Sequence, residues 1–477
     1  MRIEPAVNAF HSSDLTCARR RFMTATAAGG LAMVGCKPAP TGETKTTAKV
    51  RGDVPLRVLL CGGQRFSDVL QTAWSGVAAQ PLAIRRVDPD STPAELFQFE
   101  LQAAMKTADV AIVPMGAMAA IDASSGLLPM TDAMLGQDGL REETLLPTIR
   151  ESLMKFAGRT VAAPLGAIQP VLAIRRLAMQ GNEDDSVTAP VNWDEYHALS
   201  KTFRESGSQV AEPLASGWAA KMFLWRANAA NPPAWLFDRQ TLAPVIDSQP
   251  YVETLATMQR CAEQYDQPFM TPGEVWSRLA KGELRMAITW PAPFSDNDQI
   301  DEIDDCEFFT MPRSAPPDSL TQTLVMTNAP VVILSSHCRQ SEAATRFVGW
   351  LTGGEGTQMI QNAVAGLTLI RYPETLASGP TDDGGSGDDR VANEGTNSYD
   401  VVLTRMLSSV LIRTPLQLLD FRRYMASLDD AVLKCLRGEQ TPQDALTATA
   451  IKWAALHLEV GEKKQAKAWR MAQGLSG

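Results

Sequence analysis

The chain has 477 residues, of which 45% are hydrophobic and 21% are charged, and its formal net charge is −10. Single hydrophobic cores stop growing at about 250 to 300 residues, so a chain of this length predicts at least two lobes. Without residues 1–36, 40 basic and 52 acidic residues remain, a net charge of −12. A surface this acidic repels phosphate backbones, which argues against nucleic acid as the main partner.

The N-terminus has the order of features of a secretory signal. Three arginines, residues 19–21, precede a mild apolar run that stops at Cys36. The run is too short and too rich in glycine to span a membrane, which needs about 20 consecutive apolar residues. Arg19 and Arg20, followed by Phe22 and Met23, resemble the twin-arginine export signal.

The end of this run predicts a lipid anchor. Residues 33–36, Met-Val-Gly-Cys, resemble the cleavage box of bacterial lipoproteins, in which the cysteine is lipidated and becomes the first mature residue. Several acyl chains on Cys36, at about 0.8 kcal/mol per buried methylene, would hold the protein on the membrane surface. Residues 37–54 lack apolar periodicity and contain Pro, Gly and Thr, so they predict a flexible tether. The folded part is expected to begin near Pro55.

Strand and helix patterns alternate in the first part of the folded chain. Residues 56–60 form a short apolar run, and a glycine loop ending at Gln64 separates it from an amphipathic segment. Further strands are predicted at 82–87 and 109–113, with a helix opened by Pro93 between them. This alternation indicates an α/β fold with doubly wound sheets, in which ligands bind at the carboxyl ends of strands. The loops at Gln64 and Met115 are therefore candidate ligand contacts.

The same pattern continues to the C-terminus. Strands are predicted at 160–164, 171–174, 285–289 and 331–334. Asn192 with Glu195 predicts a capping box at a helix start, and Thr441 followed by Pro442 predicts another helix, which runs to Gly461. Residues 377–398 are rich in Gly, Asp and Ser and predict an exposed, mobile loop.

The cysteines and histidines predict neither a metal site nor a disulfide framework. No two cysteines form a C-x-x-C pair, and the histidines beyond the signal are isolated in the sequence. Free cysteine is among the most buried residue types, so most of the cysteines are expected to be small core residues. No metal and no cofactor is predicted. The five cysteines that follow Cys36 are Cys61, Cys261, Cys306, Cys338 and Cys435.

The order of these segments resembles the extracellular solute-binding proteins of ABC importers, many of which bind sugars. The resemblance spans nearly the whole mature chain; each motif alone is weak, and their shared order is more specific. The segments that carry it are the lipoprotein start, residues 56–60, 109–113, 126–132, 158–164, 192–196, 245–248, 281–290, 438–446 and the closing Trp469-Arg470.

The resemblance implies a two-lobed, type II periplasmic-binding-protein-like fold, in which each lobe is a doubly wound mixed sheet flanked by helices. Residues 55–165 and 313–365 would form one lobe, and residues 166–312 and 366–477 would form the other. A ligand held between the lobes contacts both of them and shifts the population toward the closed state. The implied protein is a monomer that delivers its ligand to the permease subunits of an ABC importer.

A sugar needs an apolar platform for its C–H faces and a few fixed hydrogen-bonding groups. Trp290 ends a predicted strand and is the first candidate platform. Trp218 lies seven residues before Trp225, a spacing typical of a buried helical stripe, yet its place at a helix start also allows it to face the cleft. Gln64 and Gln169, in loops after strands, are candidate amide donors. The loop of Met115 lacks an aromatic side chain, which leaves the ligand class open.

A hydrolase is the enzyme alternative. Ser152-Leu153-Met154-Lys155 matches S-x-x-K, and Ser295-Asp296-Asn297 matches S-D-N, two motifs of serine β-lactamases. No K-T-G follows, and Ser152 is expected at a helix surface with no oxyanion partner.

The sequence therefore favours a lipid-anchored protein of the cell envelope that faces the periplasm or exterior. This protein is expected to capture a small molecule, for which a carbohydrate is the favoured class, and to catalyse no reaction. The alternative from another class is a lipoprotein of the same fold that acts as a sensor or docks another protein.

Overall fold

The computed structural model describes residues 53–89, 91–131, 134, 142–176, 189–292, 300–313, 323–325, 328–363, 367, 398–409, 411–413 and 416–475. The predicted export signal with Cys36, nearly all of the predicted tether, the Ser295-Asp296-Asn297 motif and the loop at 377–397 lie outside these residues. The predictions made for them, including the lipid anchor, stay predictions.

The strands are short, as the short apolar runs predicted, and they contribute to two main sheets. In chain order they are β1 (Leu56–Leu60), β2 (Leu82–Arg86), β3 (Val110–Pro114), β4 (Leu127–Leu128), β5 (Lys155–Phe156), β6 (Arg159–Thr160), β7 (Ala162–Pro164), β8 (Val171–Arg175), β9 (Gln209–Ala211), β10 (Leu284–Thr289), β11 (Cys306–Phe309), β12 (Thr323–Leu324), β13 (Pro330–Ser335) and β14 (Ile412–Arg413).

The helices flank these sheets. They are α1 (Gln64–Val77), α2 (Ala94–Met105), α3 (Met118–Ala123), α4 (Pro147–Leu153), α5 (Trp193–Glu205), α6 (Ala219–Ala229), α7 (Gln249–Ala262), α8 (Pro272–Ala280), α9 (Ser341–Thr352), α10 (Gly354–Ala363), α11 (Tyr399–Leu407), α12 (Phe421–Leu436), α13 (Pro442–Val460) and α14 (Glu462–Ala472).

The first sheet has the order β2-β1-β3-β13-β4, and β7 also pairs with β13. Strand β1 runs parallel to β2 and β3, whereas β13 runs antiparallel to β3, β4 and β7. Strand β3 is buried along its whole length, because helices cover both faces of the sheet. The sheet is therefore mixed, and its central strands read as continuous apolar runs.

The second sheet has the order β11-β8-β10-β9. Strand β8 is antiparallel to β10 and β11, and β9 is parallel to β10. The chain passes from the first sheet to the second through residues 165–170, and it returns between Phe309 and Pro330. Two sheets joined by two chain crossings give the mixed α/β architecture that the sequence predicted. The proposed lobe boundaries stay a prediction.

Local signals placed several helix starts correctly. The Asn192 side chain accepts a hydrogen bond from the Glu195 N–H at 2.9 Å, and the Glu195 carboxylate accepts one from the Val191 N–H at 2.8 Å. Thr441 caps α13 by accepting a bond from the Asp444 N–H at 3.1 Å, with proline in the first turn. These caps satisfy N–H groups that have no partner inside their helices.

A buried carboxylate ties three parts of the first sheet together. Asp109 precedes β3 and is fully buried. It accepts hydrogen bonds from Arg57 Nε at 2.9 Å, from the Arg57 N–H at 3.1 Å and from the Arg339 N–H at 2.7 Å. Burial alone would raise the pKa of the Asp109 carboxyl, but these bonds outweigh it and hold the pKa below its usual value.

An aromatic cluster packs the C-terminal helices together. Phe237 stacks on Trp453 of α13 at 5.2 Å between ring centroids, and the ring of His457 lies 5.2 Å from Phe237 and 5.5 Å from Tyr424 of α12. Burial lowers the pKa of His457 to about 4. The imidazole is therefore neutral at pH 7.

All five cysteines that follow Cys36 lie in the part of the chain that the structure describes, and each has a free thiol. Cys261, Cys306 and Cys435 are buried, in agreement with a core role. Across the described residues, His, Cys, Asp and Glu form no group of three that could hold a metal ion. None of the helices built from those residues is both long enough and apolar enough to span a membrane.

We expect Asp109→Asn to destabilise the protein by about 2 to 4 kcal/mol at pH 7, because it leaves buried donors without a charged acceptor. The folded pKa lies below the unfolded value, so this stabilisation is present above about pH 4 and is lost as the pH falls further. Urea unfolding between pH 7 and pH 3 tests this expectation. The difference in the free energy of unfolding between wild type and Asp109→Asn should become smaller at low pH. Asp122→Asn, in a surface pair with Arg159, is the control and should change stability by less than about 1 kcal/mol.

His457 predicts a second pH dependence at higher pH. Between pH 6.5 and about 4, the unfolded chain binds a proton that folded His457 does not bind, so stability should fall by about 2 to 3 kcal/mol across this window. Denaturant unfolding across this window should show a smaller fall in stability for His457→Phe, whereas replacement of exposed His337 by Gln should leave the fall as in wild type. An equal fall in stability in wild type and His457→Phe would show that His457 does not cause it.

Candidate ligand-binding site

Two of the tryptophans singled out by the sequence lie side by side. Trp290 follows β10 and has only 1% of its surface exposed, whereas Trp218 precedes α6 and is half-buried. Their ring centroids are 5.3 Å apart, and Trp225 of α6 lies 5.5 Å from Trp290 on another side. Trp290 and Trp225 therefore belong to the core, while Trp218 offers part of its ring to solvent.

The exposed edge formed by Ser216, Gly217 and Trp218, here called the Trp218 edge, carries polar groups next to the aromatic ring. Ser216 and Gly217 are exposed, and the Lys221 ammonium lies 3.7 Å from the centroid of the Trp218 ring. Gly217 has φ +84°, a left-handed conformation that glycine adopts without steric cost. The edge thus combines an aromatic ring, a cation over that ring and an exposed serine.

A carboxylate from a distant helix fixes the start of α6. Asp429 of α12 accepts hydrogen bonds from the Gly217 N–H at 2.7 Å and from the Ala220 N–H at 2.9 Å. These are donors that the first turn of a helix leaves unpaired, and a negative charge there also interacts favourably with the helix dipole. Asp429 is buried, and its two hydrogen bonds hold the Trp218 edge in position. No sequence pattern pointed to Asp429, because more than 200 residues separate it from Gly217.

A buried ion pair supports the same helix from behind. Glu212 follows β9 and pairs with Arg226 of α6, and both side chains are almost fully buried. Tyr265 donates a hydrogen bond to Glu212, and the Arg226 guanidinium lies 3.8 Å from the centroid of the Trp193 ring. Burial and the neighbouring Glu212 charge raise the pKa of Tyr265 well above its usual value. Because a buried pair is costly to break, it holds α6 firmly on the second sheet.

Gln169 lies away from solvent, in the first chain crossing. Its side-chain Nε2 donates to the Leu324 carbonyl at 2.9 Å, and its own backbone carbonyl accepts a bond from the Tyr399 hydroxyl at 3.1 Å. Only 1% of its surface is exposed. In this arrangement its amide joins the two chain crossings, and its contact with a ligand stays a prediction.

Met115 and Gln64 lie at the carboxyl ends of β3 and β1, as predicted. Met115 is fully buried, and its N–H donates to the Ala329 carbonyl at 2.9 Å. Gln64 is exposed, and its side-chain amide donates to Asp68 at 2.6 Å. Both follow strands of the first sheet, whereas the Trp218 edge lies at the start of α6. Among the five predicted ligand residues, the structure brings Trp218 and Trp290 into contact, and the ligand roles of all five stay predictions.

The serine of the S-x-x-K motif is buried, so the expectation that it lies at a helix surface was wrong. Ser152 is 5% exposed in α4, and its hydroxyl donates to the Thr148 carbonyl one turn earlier. The short helix turns this face toward the core. A hydroxyl that is buried and bonded to its own helix is not placed to attack a substrate.

Several solved structures share this fold, although no protein family's sequence profile matches the chain and no curated protein matches it either. An ABC transporter solute-binding protein from Agrobacterium radiobacter K84, in complex with ribitol, has a TM-score of 0.61 and 17% identity over 84% of this chain and 98% of its own. Maltose-bound MalE3 from T. maritima has a TM-score of 0.59 and 18% identity over 84% of this chain and 100% of its own. The cyclic α-maltosyl-1,6-maltose binding protein from Arthrobacter globiformis has a TM-score of 0.52 and 16% identity over 83% and 97%.

These likenesses cover nearly the full length of each neighbour, so they concern the whole architecture rather than one sheet. The chain has the two-lobed fold of the solute-binding proteins of ABC transporters. The predicted fold class is confirmed, and so is the structural resemblance from which it came.

We expect Asp429→Ala to destabilise the protein by about 2 to 4 kcal/mol, because it leaves the N–H groups of Gly217 and Ala220 without an acceptor. Denaturant unfolding measures this loss, and tryptophan fluorescence should report a changed environment for Trp218. The control is Asp430→Ala on the same helix, which removes a half-exposed carboxylate paired with Lys434 and should cost less than about 1 kcal/mol. Similar losses in the two variants would contradict the role given to Asp429.

Proposed function

We propose that this protein is a solute-binding protein that captures a small carbohydrate between its two lobes and delivers it to an ABC importer. The observation that carries the proposal is the half-buried Trp218, which lies against the buried Trp290 on a fold whose neighbours bind ribitol, maltose and a maltosyl-maltose. Two observations thus support the proposal: the Trp218 edge of this chain, and the ligands that the neighbours of this fold bind.

The chemistry of the Trp218 edge suits a neutral, hydroxylated molecule. The C–H face of a sugar ring packs on tryptophan, and its hydroxyls can bond to polar groups beside the ring. Trp290 and Asp429 keep this edge fixed, so little ordering entropy is lost when a ligand binds. A ligand that also contacts the other lobe favours the closed arrangement and stabilises it.

We propose binding without catalysis. The neighbours are binding proteins, and the serine of the S-x-x-K motif is buried with its hydroxyl bonded to the Thr148 carbonyl. We further propose a monomer that is anchored through lipidated Cys36 to the cell envelope, facing the periplasm or exterior, with residues 37–54 as its tether. Permease subunits of the importer would be its protein partners.

Binding can be measured with purified protein against ribitol, maltose and larger maltosyl oligosaccharides. We expect one of them to raise the melting temperature, because a ligand at about 100 times its Kd stabilises the native state by about 2.7 kcal/mol. Trp218→Ala should weaken this ligand at least about tenfold by calorimetry, equivalent to about 1.4 kcal/mol.

The matched control is Trp350→Ala. Trp350 is also half-buried, and its ring lies 5.2 Å from that of Trp74 within the predicted first lobe. Its replacement can therefore lower the stability of the protein without changing the Trp218 edge. Ligand affinity should be unchanged in this variant.

If a broad panel of sugars, oligosaccharides and peptides fails to bind, the sensor or docking lipoprotein becomes the better hypothesis. Turnover of a substrate that disappears in Ser152→Ala would instead indicate a hydrolase.

A further inference from the structure

The last helix, α14, carries a cluster of positive charge on an otherwise acidic protein. It contains four basic residues and one acidic residue, Glu462, so its net charge is +3, whereas the chain without residues 1–36 has a net charge of −12. All four basic side chains are exposed to solvent. They are Lys463, Lys464, Lys467 and Arg470, here called the α14 basic face.

The spacing of these residues places them beside one another. Lys463, Lys467 and Arg470 follow at intervals of four and three residues, so they lie along one side of the helix. Lys464 stands three residues before Lys467, and like charges at these spacings repel each other. Lys463 and Lys464 also lie in the first turn, where the positive end of the helix dipole disfavours cations. The placement of the lysines therefore opposes the stability of α14, so folding alone does not account for it.

No acidic side chain compensates for this repulsion. In the part of the chain that the structure describes, none of the four cations forms an ion pair. Glu459, four residues before Lys463, already accepts two hydrogen bonds of 2.7 Å from Arg423. The α14 basic face is thus available to an anionic partner.

The opposite side of α14 fixes the helix to the fold. Gln465 is buried, and its Nε2 donates to the Leu419 carbonyl at 2.9 Å while its Oε1 accepts from the Leu419 N–H at 3.1 Å. Trp469 is buried too, with its ring centroid 5.3 Å from that of Phe237. These contacts hold α14 in one orientation, in which the α14 basic face points to solvent.

An exposed leucine lies next to the last turn of the same helix. The Leu475 N–H donates to the Arg470 carbonyl at 3.0 Å, so the chain folds back over the end of α14. The Leu475 side chain is 57% exposed. Cations accompanied by an apolar side chain are typical of surfaces that bind membranes, where the cations meet anionic headgroups and the apolar group reaches the acyl boundary.

We propose that the α14 basic face docks the protein on an anionic phospholipid surface, with its four cations against the headgroup phosphates and Leu475 at the edge of the acyl region. Each basic residue near such a surface strengthens binding, and the phosphates compensate cations that repel each other in water. The acidic remainder of the protein does not prevent this docking, because charges more than about 8 Å apart are largely screened at physiological ionic strength.

The proposed lipid anchor would bring α14 close to such a surface. Fully extended, the tether of residues 37–54 spans about 60 Å, whereas a globule of this length has a radius of gyration of about 22 Å. The tether alone therefore leaves the orientation of the protein on the membrane undetermined, and docking of α14 would fix it. This surface is separate from the Trp218 edge and does not depend on the carbohydrate proposed to bind there.

The test uses the mature chain, residues 36–477, with Cys36→Ser so that no acyl chain contributes to binding. Co-sedimentation measures its binding to vesicles of phosphatidylcholine mixed with phosphatidylglycerol, and vesicles of phosphatidylcholine alone are the comparison. We expect binding that requires phosphatidylglycerol and is lost at high salt.

The first variant removes the four charges of the α14 basic face and should bind the anionic vesicles at least about tenfold more weakly. Its melting temperature should not fall, because the substitutions remove repulsion within the helix. The substitutions are Lys463→Gln, Lys464→Gln, Lys467→Gln and Arg470→Gln.

Two further variants separate the position of the charges from their number. One keeps the charges of α14 by replacing its three lysines with arginine and should retain binding. The other removes four charges from exposed positions elsewhere and should bind like wild type. Its substitutions are Lys106→Gln, Lys201→Gln, Arg239→Gln and Arg260→Gln.

Equal binding to vesicles with and without phosphatidylglycerol would overturn the proposal, and so would equal losses in the two variants that each lack four charges. Absence of vesicle binding at low salt would also overturn it and would leave an acidic protein surface as the partner of the α14 basic face. None of these outcomes decides whether the protein binds a sugar, because the sugar titrations contain no lipid.

Discussion

The candidate site depends on one buried carboxylate. Asp429 accepts hydrogen bonds from the N–H groups of Gly217 and Ala220, and in this way a C-terminal helix holds the first turn of α6 in place. Trp218 stands between these two residues in the sequence, so the position of its ring follows from the same bonds. Without Asp429, the N–H groups of Gly217 and Ala220 would have to pair with water, and the Trp218 edge would lose this support.

The buried acids of this protein differ in how their charge is compensated. Asp109 accepts bonds from a guanidinium and from two backbone N–H groups, and Glu212 pairs with Arg226 and accepts a bond from Tyr265. Asp109 holds parts of the first sheet together, whereas Glu212 holds α6 on the second sheet. Asp429 is compensated in a third way, by the N–H groups at the start of α6.

Local sequence signals predicted much of the fold, because they act over a few residues. Apolar runs located β1, β3 and β10, and caps such as Asn192 located helix starts, since each depends on residues three or four positions apart. A strand end made Trp290 a candidate and a helix start made Trp218 one, but their contact joins distant segments and no local pattern encodes it. Gln169 was predicted as a loop amide and lies buried, and Ser152 was expected on a surface and lies inside. Both differences arise from long-range packing, which no short pattern records.

The two chain crossings between the sheets are linked to each other. The Gln169 side chain bonds to Leu324, which lies in the returning segment, and Tyr399 bonds to the same glutamine from a third part of the chain. Through Gln169, the crossing at residues 165–170 thus contacts both Leu324 and Tyr399, so one amide side chain and its backbone carbonyl join three stretches that are far apart in the sequence.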